Sequence, residues 1–234
     1  MGLGSGIAIA TGGGLALGLG ALWLRRRADL AHDRAIWSTL HAGATRPLGL
    51  FDPATISDLP EPVRRYFRFA IAPGTPLRRV AEIDMEGSFG TGTRQNPGYA
   101  PMQARQILAF PEGFVWSMTS GMIGGSDGLA PGESWTRFRV FGLVPVARAG
   151  GTADHHRSAF ARALAEAVFW APASVLPGPG LRWTQTGPDT AGLTVTHDGI
   201  TQSLSLTLDA RGAPVSMVMP RWSNANPQKR WQIQ

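Results

Sequence analysis

Residues 3–24 contain no Asp, Glu, Lys or Arg, and the next three residues are Arg25, Arg26 and Arg27. No other feature constrains the chain as strongly. About 20 apolar residues, each rising ~1.5 Å along a helix, cross a hydrocarbon layer about 30 Å thick. The run is therefore read as a transmembrane helix. Its many glycines weaken helix propensity, but in lipid the backbone has no other hydrogen-bond partner, so a helix is still expected. Trp23 stands at the end of the run, where amphipathic rings occupy a membrane interface, and the arginines stop the span. A cleaved signal peptide would need a basic segment before the apolar one and a small-x-small site after it. Neither is present. Residues 1–27 are thus expected to form an uncleaved single-pass anchor in the cell (inner) membrane. The positive-inside rule then places the rest of the chain in the cytoplasm.

Small residues recur at every fourth position of this run: Gly4, Ala8, Gly12, Ala16 and Gly20. Such a ladder lets two helices approach closely and points to a homodimer through that face. The plainer alternative is that Gly and Ala are abundant throughout, with 30 glycines in 234 residues.

A hydrophobic share of 43% is enough for a buried core and excludes wholesale disorder. The absence of cysteine excludes disulfides, thiolate zinc sites and cysteine nucleophiles. The formal charge of +6 suggests nucleic acid until the charges are located. Three belong to the Arg25–Arg27 run, which leaves 19 basic residues against 16 acidic. A phosphate-backbone binder needs a concentrated basic face, and no nucleic-acid partner is expected.

Residues 28–57 read as a juxtamembrane helix and a linker. Leu30, Ile36, Trp37 and Leu40 make a loose helical stripe, Gly43 is a stop, and Pro47, Gly49 and Pro53 mark the linker. A second helix is expected from Asp58, an N-cap residue, with Val63, Tyr66, Phe67 and Ala70 inward and Arg64, Arg65 and Arg68 outward. The outward arginines suit either a solvated face or contact with anionic lipid.

After Pro76 the period becomes two. Strands are expected over residues 81–89, 102–110, 114–122 and 135–141, with Pro111-Glu112-Gly113 as a hairpin connection. A helix follows at 153–170, ended by Pro172. Strands then return at 181–186, 193–197, 200–208 and 214–219, with an Asp198-Gly199 hairpin turn. Consecutive hairpins imply a meander. The expected fold class is α+β: residues 58–234 form a curved antiparallel sheet with one or two helices packed on one side.

Signs of chemistry are sparse. Asp154, His155 and His156 are adjacent, but neighbouring helical residues point about 100° apart and do not chelate as an i, i+4 pair would. Asp154 suits a cap or a first-turn anion. Residues 124–128 (Gly-Gly-Ser-Asp-Gly) read as a flexible loop that lacks the Lys of a phosphate loop and the alternating acids of a calcium loop. No metal site or cofactor is expected. Glu166 lies between apolar helical stripes, as either a carboxylate paired with an arginine or a catalytic acid. Of the eight tryptophans, Trp116, Trp135 and Trp183 fall on predicted strands and Trp170 ends the long helix. They suit core filling or, with Glu166, the lining of an apolar ligand cavity.

Five stretches in order carry a resemblance. They are Leu59 to Phe67 (Leu-Pro-Glu-Pro-Val-Arg-Arg-Tyr-Phe), Pro111 to Trp116 (Pro-Glu-Gly-Phe-Val-Trp), Phe141 to Val146 (Phe-Gly-Leu-Val-Pro-Val), Glu166 to Pro172 (Glu-Ala-Val-Phe-Trp-Ala-Pro) with Leu176-Pro177, and Arg182-Trp183. Over about residues 59–222 the chain resembles an uncharacterised bacterial family of membrane-anchored domains of unknown function. The family carries no established activity, so the resemblance assigns no catalytic residue. The sheet-and-helix pattern is similar to the half-barrels of lipoprotein-localisation proteins, which hold acyl chains. Family members run on past the position of Trp231, which implies a sheet left incomplete where this chain stops. Three functions stay open: a membrane-tethered, non-enzymatic binding domain for a lipid or other apolar ligand; a structural or assembly protein of the membrane; and a hydrolase-like enzyme using Glu166.

Overall fold

The computed structural model describes the backbone of residues 3–45, 48–222 and 231–233, and the side chains of residues 16–44 and 48–222. The fold is α+β. Helix α1 (Leu3–Ala42) leads into α2 (Glu61–Ala70) and then a six-stranded antiparallel meander: β1 (Val80–Gly90), β2 (Tyr99–Ala109), β3 (Gly113–Ser120), β4 (Ile123–Ala130), β5 (Glu133–Val140) and β6 (Val144–Gly150). Helix α3 (Ala153–Trp170) connects this sheet to a second meander of β7 (Leu181–Gly187), β8 (Thr190–His197), β9 (Ile200–Leu208) and β10 (Pro214–Val218), followed by the short pair β11 (Pro220–Trp222) and β12 (Trp231–Ile233). The expected single meander is thus two sheets, because α3 interrupts the run of hairpins and turns the chain onto a new layer.

The main core lies between the two sheets around α2 and α3. Strand alternation builds it. Leu108, Phe114, Trp116 and Leu129 point inward from the first sheet, and Leu193, Val195, Leu204 and Leu206 from the second. The outer face of the second sheet carries Thr and Ser, paired across strands as Thr194–Ser203 and Thr196–Thr201. Helix α3 touches β9 and β11 on one side and β2 through β6 on the other. Its N-cap is Thr152, which accepts from the His155 amide, so Asp154 is the first-turn anion. Tyr66, Phe67 and Trp183 form an aromatic cluster, pinned by Tyr66 Oη donating to the Val168 carbonyl at 2.8 Å.

Helices do not lie on one side of the first sheet only. The C-terminal half of α1 covers the opposite face, where Leu40, with Ile36 and Trp37, packs on Ile107, Val115, Ala130 and Trp135. The sequence pattern hid this because the α1 stripe facing the sheet is part charge: Asp29 and Asp33 are buried, whereas Leu30 is exposed.

Residues 124–128 are not a flexible loop but most of β4. Gly128 pairs with Trp135, whose indole occupies the space a glycine Cβ would fill, and Gly125 pairs with Phe138, where the Arg137 carbonyl and the Phe138 ring crowd that position. The glycines permit close ring approach rather than a turn. A strand not expected from the sequence begins at Val144 and is the sixth of the sheet. Helix α2 starts at Glu61 instead of Asp58, since Pro60 disfavours a helical Leu59 and itself becomes the N-cap. In the stretch read as linker, Phe51 and Ile56 enter the core, and the Asp52 carboxylate accepts from the Ala54 amide.

Candidate functional site

Register pairing places Asp84, Glu86, Gln103, Arg105, Ser117, Thr119, Ser126 and Arg139 on the face that α1 crosses. These residues, with Arg26, Leu30 and Asp33 of α1, bound an open groove of about 1000 Å³. It is the size of a small-molecule or lipid site. Met122, Phe141 and Gly142 stand at its rim. The lining is mixed: Arg105 pairs with Asp84 at 2.8 Å, Asp33, Glu86, Arg26 and Arg139 add further charge, and Leu30, Met122 and Phe141 add apolar surface.

Helix α1 forms one wall and is locked there by charge. Asp29 accepts from Arg139 and, at 2.8 and 2.9 Å, from both terminal nitrogens of Arg148. Arg137 lies 3.3 Å from Asp33. Burial pushes the Asp29 carboxyl up, but the Arg148 hydrogen bonds and the charges of Arg137, Arg148 and Arg139 outweigh it and hold the group below its usual range. Further along α1, His32 lies 3.0 Å from Glu133 and His41 lies 2.5 Å from Glu82.

The helix therefore runs from one end of the sheet to the other. The Arg26 guanidinium lies 3.7 Å from where a Gly142 Cβ would stand, in the β5–β6 turn, while His32 reaches Glu133 at the opposite end of β5. N-terminal to Arg26, α1 projects past the groove mouth, with Leu17, Leu19, Trp23 and Leu24 exposed. Among the described residues, no helix is long and apolar enough to cross a membrane. Residues 3–15, most of the apolar run, lie outside the residues whose side chains are described; so do Gly4, Ala8 and Gly12 of the small-residue ladder. Ala16 and Gly20 are exposed.

The tryptophans expected to share a ligand cavity are not brought together. Trp116 is buried on the α3 side of the first sheet, Trp135 on the α1 side beneath His32, and Trp183 against α2. Trp170 is exposed at the end of α3. Glu166 is half-buried, with one oxygen taking Arg162 Nε at 2.7 Å and the other taking Gln106 Nε2 at 2.5 Å. Arg162 also reaches Asp127 at 3.0 Å and covers the rings of Phe114 and Trp116. This is a cross-brace between α3 and the sheet. A small neighbouring cavity of about 60 Å³ touches Asp127, Arg162, Arg221 and His155. His155 sits between Ser134 at 2.7 Å and Thr136 at 3.2 Å, and burial lowers its imidazole. Among the described residues, no group of three or more acidic or histidine side chains is placed to hold a metal.

Sequence reasoning missed the groove because its floor is made of ordinary strand positions. One signal was available: Asp29 and Asp33, four apart on a helix, match Arg137 and Arg139, two apart on a strand.

A model of a family of unknown function, DUF6544, matches residues 49–234. The chain belongs to this family. The DUF6544 match begins just after α1 and takes in both sheets, α2 and α3, so the groove pairs a DUF6544 sheet face with a helix N-terminal to the match. No curated protein and no solved structure matches the chain.

Proposed function

We propose that the chain is a membrane-tethered, non-enzymatic binding domain whose ligand is a lipid of the membrane that holds it. The apolar run 3–24 is the anchor, Arg25–Arg27 its cytoplasmic stop, and the DUF6544 domain the binding unit. The observation that carries the reading is the path of α1. It forms one wall of the groove and leaves the domain at the groove mouth, so an anchored α1 presents that mouth to the bilayer. The mixed lining favours an amphipathic lipid, headgroup among the paired charges and chain toward Leu30, Met122 and Phe141, over a bare hydrocarbon. The engaged oxygens of Glu166 speak against the hydrolase reading.

Alkaline carbonate washing of membranes, followed by lipid extraction of the purified full-length chain, tests this. The expected result is a chain that resists washing and carries a phospholipid. A chain washed free and lipid-free would overturn it.

A further inference from the structure

The six-stranded sheet has two chemically different ends. The β1–β2 loop (91–98), the β3–β4 turn (121–122) and the β5–β6 turn (141–143) lie at one end, where α1 passes Gly142. The other end holds the turns at 110–112 and 131–132. At the first end Tyr99 is 70% exposed, Met122 62% and Phe141 74%, with Val144 also exposed. Phe141 has φ +52°, a left-handed conformation that a bulky side chain rarely adopts. A turn of this kind favours Asn or Gly, yet here it holds a phenyl ring out in solvent.

Charge is divided the same way. Segments 87–103, 119–126 and 140–150 contain no Asp or Glu and carry Arg94, beside Arg25, Arg26 and Arg27 of α1, while Arg148 is taken up by Asp29. The opposite end is mixed, with Glu112 and Glu133 beside Arg78 and Arg79 at the start of β1. Trp23, with Arg27 over its ring at 4.7 Å, stands on α1 just beyond the apolar tips.

We infer that these hairpin tips form a second membrane contact: Tyr99, Met122, Phe141 and Val144 dip into the interface of an anionic phospholipid bilayer, while Arg94 and Arg25–Arg27 meet its headgroups. This rests on the tethered reading above and deepens it, since the domain then stands on its hairpin tips with its groove mouth at the lipid surface. An apolar tip among arginines suits such a surface on both counts, and α1 already points its apolar run that way. Exposed apolar patches of this kind mark interaction sites rather than ordinary surface.

The chain has no native cysteine, so single cysteines report depth without background. Leu17→Cys, Met122→Cys, Phe141→Cys and Glu112→Cys, each in the full-length chain, are labelled with an environment-sensitive fluorophore. Each is reconstituted into phosphatidylglycerol-containing vesicles carrying shallow spin-labelled lipid. The expected result is quenching at 17, 122 and 141 at least about twofold stronger than at 112. Quenching at 17 with none at 122 and 141 overturns the rim and leaves the anchor standing. Quenching at 122 and 141 without 17 supports the rim and overturns the anchor. No quenching at any of the three overturns both.

Discussion

Asp29 and Arg148 lie 119 residues apart in the chain, and Arg148 holds the Asp29 carboxylate through both terminal nitrogens at 2.8 and 2.9 Å. That bidentate pair, with Arg139 on the same carboxylate, fixes α1 to the sheet and sets the direction in which the apolar run leaves the domain. Removing one partner of a buried pair leaves the others uncompensated. Asp29→Asn is expected to lower stability by on the order of 3 kcal/mol, read by denaturant unfolding in detergent. It should also open residues 28–42 to trypsin while the β7–β10 sheet stays protected.

Acid should release the same helix. The Asp29 carboxyl is held below its ordinary value of 3.8, so protonation favours the undocked chain. The stabilisation is fully present above pH 3.8 and is lost as pH falls through the lowered folded value. Hydrogen exchange of residues 28–42 between pH 5 and pH 2.5 checks this. Asp29→Asn should remove most of the pH dependence in that window.

Gly128 is expected to tolerate no side chain. Its Cβ position is filled by the Trp135 indole, itself tied by Nε1 donating to Ser126 Oγ at 3.2 Å. Gly128→Ala should cost about 2 kcal/mol through overpacking, and pairing it with Trp135→Leu should recover part of the loss. A thermal unfolding series of the three variants measures it.

Glu166 is expected to behave as a brace. Glu166→Ala leaves Gln106, which has no solvent exposure, and Arg162 without their shared acceptor. A loss of about 2–3 kcal/mol follows from stranding buried donors. Glu166→Gln should lose less, because its side-chain oxygen still accepts.

His155 gives a second pH signature. Burial lowers its imidazole from 6.5, so the stability it contributes is complete above pH 6.5 and declines as pH falls through the lowered folded value. Protonation would make both ring nitrogens donors toward Ser134 and Thr136. NMR titration of the ring should give a midpoint below that of a free histidine.

Much of the scaffold was legible in the sequence because it follows local rules. Period-two alternation in 81–89 and 200–208, the Asp198-Gly199 turn with φ +46° and +75°, and the long helix ended before Pro172 each depend on neighbours in the chain. What was not legible depends on distant partners. Gly125 and Gly128 read as loop residues until Phe138 and Trp135 are seen to cover them. Asp29 and Asp33 lie outside the apolar stripe of Leu30, Ile36, Trp37 and Leu40, and only the three arginines of β5 and β6 make them a buried face. Trp116, Trp135 and Trp183 were legible as core residues but not as members of separate clusters, since a strand pattern does not say which face meets which layer. The groove was illegible for the same reason, as it exists only where α1 crosses the sheet.

The most direct test of the central claim is native mass spectrometry of the detergent-extracted full-length chain beside Thr119→Trp, which places an indole in the groove from an exposed floor position. The account predicts a phospholipid bound to the native chain and its occupancy cut several-fold in the variant. A lipid-free native chain, or one whose lipid is retained equally by Thr119→Trp, would contradict it.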